Sequence, residues 1–297
     1  MNKKRLQVQS HTHEALVDLK LSWKLYKSNF KPFLSAQIIS VIIFLLFQPQ
    51  PWDLWNVVIV FNGGDSLPYN PVWLSIIASI RSLIGIIVYS VFFGCSFGLS
   101  YDIMSSGNLF TKFKSLFHYF RRYWWQYILL FFLLNFGPLV YGGIISSILW
   151  HPIIEPETLP YHVFSYATIN ITLCIFNLFW MTLFIQIYPS LTAQGGIKQA
   201  FSENWRLLSL NWKRIFISLL FFFLIFTVPW VFIDIINYYI LLLIIPHYSV
   251  LWKYWSYTLY FAETIITFFL ELPILTLITT RIYNSLTYVA SEVDEKK

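Results

Sequence analysis

Long apolar runs alternate along this chain with shorter mixed segments, and three of the mixed segments share one pattern. Leu19, Trp23, Tyr26 and Phe30 precede the first run, Phe113, Phe117, Phe120 and Trp124 the third, and Phe201, Trp205, Leu208 and Trp212 the fifth. Steps of four, three and four residues place each set on one stripe of an α-helix. The register is constant: every member of the second set lies 94 residues after its counterpart in the first, and every member of the third 88 after the second. Fixed offsets of this kind predict an internal repeat. The runs themselves lie near 33–48, 72–100, 124–149, 163–188, 214–236 and 254–280. A bilayer crossing takes about 20 apolar residues, so the pattern predicts six spans. The first is the shortest and borrows length from the segment before it.

The predicted fold is therefore all-α. It is a polytopic membrane protein with six transmembrane helices, in three tandem units of one interfacial amphipathic helix plus a two-span hairpin. It forms a single membrane domain over 1–297, with units 12–104, 105–192 and 193–288 and tails 1–11 and 289–297. Ser105, Ser106 and Gly107 lead into the second segment, and Gln194, Gly195 and Gly196 into the third. Glycine there lets the chain leave a span and turn along the membrane surface. The even spans echo each other in Pro189-Ser-Leu-Thr192 and Pro273-Ile-Leu-Thr276. Two crossings per unit point all three units the same way, which allows a ring as well as a row.

Composition agrees with lipid as the solvent. Hydrophobic residues are 57% of the chain, charged residues 11%, and mean hydropathy is +0.62, where a soluble domain carries about 25% charged residues. The 20 Lys and Arg residues are placed asymmetrically. Seven precede span 1, four lie between spans 2 and 3, four between spans 4 and 5, and three at or after the end of span 6. The alternate loops hold only Lys253. By the positive-inside rule this puts both termini in the cytoplasm of a multi-pass cell-membrane protein. The net charge of +6 then faces one leaflet and needs no nucleic-acid partner. Lys3, Lys4 and Arg5 lead into a polar stretch through His13, so no cleavable signal peptide is expected.

The basic residues also fall on helical stripes beside the aromatic ones. Lys20, Lys24, Lys27 and Lys31 form a row rotated by about 110° from the apolar face. Lys112, Lys114, Arg121 and Arg122 accompany the second segment, and Lys198, Arg206, Lys213 and Arg214 the third. Trp and Tyr favour the headgroup layer, and lysine stems lie along apolar surface while the ammonium reaches phosphate. Helices of this make-up lie on an anionic inner leaflet, which makes anionic lipid the expected partner.

The stretches Ser22 to Leu34 and Gly195 to Phe216 resemble the repeats of prokaryotic six-span integral membrane families. These are related to the membrane domain attached to some bacterial glycerophosphodiester phosphodiesterases. The resemblance covers nearly the whole chain and implies a membrane domain alone. The phosphodiesterase's catalytic barrel, with its His and Glu metal site, has no room in 297 residues taken up by spans, so no catalytic residue carries over. Mitochondrial carriers share the size and the three two-span units. Pro138-Leu-Val-Tyr and Pro229-Trp-Val-Phe lack their signature, however, and here the surface helix precedes the odd span.

Charges inside the membrane are the remaining candidates for chemistry, because each costs about 2.5–3.5 kcal/mol at the bilayer centre. They are Arg81 in span 2, Asp234 in span 5, and Glu263 and Glu271 in span 6. Arg81 with Asp234 and Glu263 fits a structural ion pair. Glu271 is sharper: Thr264, Thr267, Glu263 and Glu271 share an arc of about 100°, and Pro273 leaves a carbonyl unbonded one turn earlier. An acid beside a broken helix is how proton- or cation-coupled carriers build sites.

Ser90, Gly94 and Gly98 predict a ridge for close helix packing, set against the Gly137, Pro138, Gly142 and Gly143 stretch of span 3. Asn135, Asn170 and Asn237 are expected to bond between helices. Cys95 and Cys174 fall inside spans as packing residues, and His151, Glu155, Glu157 and His162 match no zinc spacing. No nucleophile elbow, phosphate loop or His-Glu-x-x-His motif occurs, so no catalytic residue, metal or cofactor is expected. The leading reading is a non-enzymatic membrane protein that engages anionic lipid or organises the membrane. The alternative is a secondary transporter or permease with an Arg/Glu site, which calls for a polar cavity between spans 2, 5 and 6 facing Glu271.

Overall fold

The computed structural model describes residues 3–47, 71–105, 113–150, 159–244, 258–259 and 261–294. These are helical almost throughout, with no strand among them. In chain order the elements are α1 (Lys3–Ser28), α2 (Phe30–Phe47), α3 (Pro71–Ser105), α4 (Phe113–Trp150), α5 (Leu159–Phe184), α6 (Ile187–Gln194) and α7 (Ile197–Phe222). A π-turn over Phe223–Thr227 joins α7 to α8 (Val228–Ile244). Helical residues 261–266 lead through a second π-turn, Thr267–Glu271, into α9 (Leu272–Asp294).

Five stretches among the described residues are long and apolar enough to cross a bilayer: Leu83–Ser105, Lys114–Ile145, Tyr166–Gln194, Ile197–Asn237 and Phe261–Thr287. Phe30–Ile42 is apolar but shorter. The protein is thus an α-helical multi-pass membrane protein. Helix α1 starts at Lys3 and α9 runs to Asp294, so most of the expected tails 1–11 and 289–297 continue these helices.

Proline shapes both π-turns. Pro229 and Pro273 each follow a π-turn by two residues and cannot donate to the carbonyl four residues back. The amides of Val228 and Leu272 instead reach Phe223 and Thr267, five residues back, which is π geometry.

Helix α3 is central and packs on α2, α4, α6 and α9. Its Gly94 and Gly98 admit aromatic rings: a Cβ on either would collide with the ring of Tyr127 or Tyr119 of α4. The expected ridge therefore packs on span 3, but on its tyrosines. The glycines of α4 lie elsewhere, Gly137 under the Trp180 ring and Gly142 near Leu173. The tyrosines continue into a column of rings. Tyr119 stacks on Tyr123, Tyr127 on Tyr188, and Tyr188 on Phe97 at 4.7 Å between centroids. Buried polar bonds accompany them, Gln37 Nε2 donating to Ser96 Oγ and Ser100 Oγ to Thr276 Oγ1, both at 2.9 Å. The amides of Asn135 and Asn170 donate back to Phe131 and Tyr166 of their own helices. That spares a buried polar group from needing an interhelical partner.

Candidate functional site

Two regions gather the chain's charged residues. The first is the end of the bundle where α1, α6 and α7 meet α9 and the start of α4 meets the α6–α7 turn. Gly195 in this turn adopts φ 78°, a left-handed conformation that suits glycine. The Arg122 guanidinium lies 3.3 Å from where its Cβ would stand.

The three mixed segments and the apolar runs that follow them bury corresponding positions. Ser22, Leu116 and Asn204 are buried, as are Phe33, Tyr127 and Ile215, Ala36, Leu130 and Ser218, and Ser40, Leu134 and Phe222. Each triplet follows the offsets of 94 and 88 residues read from the aromatic stripes. The stripes themselves face outward at Trp23, Phe30, Phe117, Phe120, Trp124, Phe201, Trp205 and Trp212. Tyr26 and Leu208 turn inward instead, and the side chain of Phe113 lies outside the described residues.

Backbone geometry differs among the segments. The helix breaks at Asn29 between α1 and α2, and α7 kinks at the corresponding Asn211, with φ −134° and ψ 22°. Helix α4 runs unbroken through its segment into the span, so the second segment is no separate helix.

Lys20, Lys24, Lys27, Lys31, Lys114, Arg121, Arg122, Lys198, Arg206 and Lys213 have exposed side chains, while Lys112 lies outside the described residues. Lys27 sits over the Trp23 ring at 5.2 Å, Arg122 over Tyr123 at 5.1 Å and Lys213 over Trp212 at 5.9 Å, within cation–π range. Arg206 binds Glu203 at 2.7 Å. Arg214 is taken up differently. Its Nη2 lies 3.3 Å from Asp18 Oδ2 and its Nε 3.5 Å from Glu14, while Arg281 Nε donates to Asp18 Oδ1 at 2.7 Å. Asp18 is 2% exposed, so α1, α7 and α9 meet on one buried carboxylate. Sequence reading missed Asp18 and Arg281 because each looks like a solvated charge near a helix end.

The second region is the carboxyl of Glu271. The π-turn before Pro273 carries it into a cavity of about 250 Å³. The wall includes Tyr89 and Phe93 from α3, Phe131 and Asn135 from α4, Asn177 from α5, and Phe223 and Thr227 after α7. Trp230 Nε1 of α8 donates to Glu271 Oε1 at 3.0 Å, and Thr267 Oγ1 to Oε2 at 3.3 Å. Pro273 leaves the Phe269 carbonyl unclaimed, and the Tyr26 hydroxyl of α1 donates to it. Burial pushes the Tyr26 phenol up to about 12, so it serves as a neutral donor. Glu263 lies in electrostatic range of Asp234 on one side and Glu271 on the other. The backbone of Arg81 lies in α3, but its side chain falls outside the described residues.

No group of three or more His, Cys, Asp or Glu that could hold a metal occurs among the described residues. Cys95 and Cys174 are free thiols. His151, Glu155 and Glu157, and the side chain of His162, lie outside the described residues. No protein-family model, curated protein or solved structure matches the chain, and nothing links it to the membrane domains of glycerophosphodiester phosphodiesterases.

Proposed function

We propose that this protein is a non-enzymatic integral membrane protein of six spans in three tandem units, whose basic-aromatic segments engage anionic lipid at the cytoplasmic leaflet. The observation that carries this reading is the shared register of the three segments. Corresponding positions are buried, while most of the aromatic stripe and a row of Lys and Arg face outward together. The stretch Lys114–Ile145 has 32 residues, about 48 Å of helix against a hydrocarbon core of about 30 Å. Its first turns therefore reach the headgroup layer. Breaks at Asn29 and Asn211 let the other two segments tilt away from their spans. Phe30–Ile42 reaches bilayer length as the first span when the rest of α2 is added.

Each basic residue near an anionic surface is worth about 1 kcal/mol. Replacing Lys20, Lys24, Lys27 and Lys31 with Gln should lower the retention of phosphatidylglycerol over phosphatidylcholine by about tenfold or more. Native mass spectrometry of the purified protein reads this directly. An unchanged lipid preference would remove the reading.

A second reading, a carrier with an intramembrane acid, is favoured by one observation: Glu271 borders a cavity walled by several spans.

A further inference from the structure

We infer that the Glu271 cavity is a binding site for a small organic ammonium ion. The inference deepens the second reading above and stands independently of the lipid-binding surfaces.

Three features select the charge of the ligand. Glu271 is the one acid among the described residues that line the cavity, and no Lys, Arg or His is among them. Each of its oxygens receives one neutral donor, Trp230 on Oε1 and Thr267 on Oε2. Those bonds fix the carboxylate without neutralising it and leave acceptor capacity on both oxygens. Among the described residues the cavity offers this carboxylate no counter-ion, and an unpaired charge inside the membrane is costly.

The rest of the wall selects an organic cation over a hydrated metal ion. Tyr89 and Phe131 meet edge to face at 5.2 Å between centroids, and Tyr89 stacks with Phe93 at 6.1 Å. Aromatic faces are negative at their centres and hold alkylammonium groups within about 6 Å. The amide of Asn135 donates to the Phe131 carbonyl, which leaves its own oxygen as a neutral acceptor. Five aromatic rings and four Leu or Met side chains make up most of the lining, a surface that suits an alkylated cation better than a hydrated metal ion. A volume of about 250 Å³ is below the about 300–1,000 Å³ usual for drug-sized ligands, so the ligand is small.

The test uses the full chain in phosphatidylglycerol nanodiscs with radiolabelled tetramethylammonium as the probe. Saturable binding is expected, with no competition from the uncharged isostere 3,3-dimethylbutan-1-ol. Glu271→Gln should weaken binding by about tenfold or more, and Tyr89→Leu should weaken it less. Competition by the neutral isostere on the wild-type chain needs no variant, so a poorly folded Glu271→Gln leaves the question decidable. Absence of saturable binding, equal binding by a monodisperse Glu271→Gln, or equal competition by the isostere would each overturn the site. In high salt, which screens the surface charge of the bilayer, probe binding that falls when phosphatidylcholine replaces phosphatidylglycerol assigns the cavity to a lipid headgroup, and unchanged binding assigns it to a free amine. Binding without flux in proteoliposomes upholds the site and removes the carrier.

Discussion

Single residues here act at long range because the membrane makes an unbonded polar atom expensive. Pro273 illustrates this. Its missing amide frees the Phe269 carbonyl, and a tyrosine 243 positions earlier in sequence caps it. Tyr26→Phe should cost about 1–3 kcal/mol, the penalty for an unsatisfied buried acceptor, read as a lowered thermal midpoint in detergent. The phenol's raised value of about 12 also fixes a pH window. Because the folded group titrates above the ordinary value of 10.0, its contribution is complete below pH 10 and is lost as pH rises towards 12. Tyr26→Phe should lack that part of the alkaline loss. The carbonyl's availability was legible in sequence from the proline alone. Its partner was not, because the aromatic spacing around Tyr26 reads as an outward stripe.

At the scale of elements, periodicity located the helices and helix contacts set their details. The ridge of Ser90, Gly94 and Gly98 correctly marks the face α3 turns to span 3. What it receives there is tyrosine rings, a pairing that needs the axial register of the two helices. Gly94→Ala would drive a methyl group into the Tyr127 ring, and overpacking of this kind costs about 1–3 kcal/mol. The thermal midpoint should fall, and adding Tyr127→Leu should recover part of the loss, giving a non-additive double-mutant cycle. The helix breaks were partly legible. Asn29 and Asn211 stand at corresponding positions, whereas Tyr123 occupies that place in the second segment and α4 continues unbroken. Asparagine competes for backbone hydrogen bonds and weakens a helix interior, and Asn29 does bond back to Leu25.

For the whole molecule, apolar runs and the scarcity of charge are enough to read a multi-pass helical protein. Glu271 was legible as an acid in an apolar run, but the cavity beside it arises only when helices far apart in sequence converge. The same holds for Asp18, which binds Arg214 and Arg281 across 196 and 263 positions. Asp18→Asn removes the carboxylate that Arg281 binds and leaves Arg214 with Glu14. Removing one partner of a buried ion pair costs about 3–5 kcal/mol. Dye-monitored unfolding should therefore show a markedly lower midpoint, larger than for Glu14→Gln, whose carboxyl is 43% exposed.

That carboxylate also constrains how the polypeptide is made. Synthesis runs from the amino end, so Asp18 emerges from the ribosome long before either arginine exists. Its second partner arrives 263 positions later. Helix α1 consequently completes its contact with α9 only after α9 has been made. A product that stops short of position 281 can hold Asp18 through Arg214 alone and lacks the 2.7 Å bond from Arg281 that ties α9 to α1.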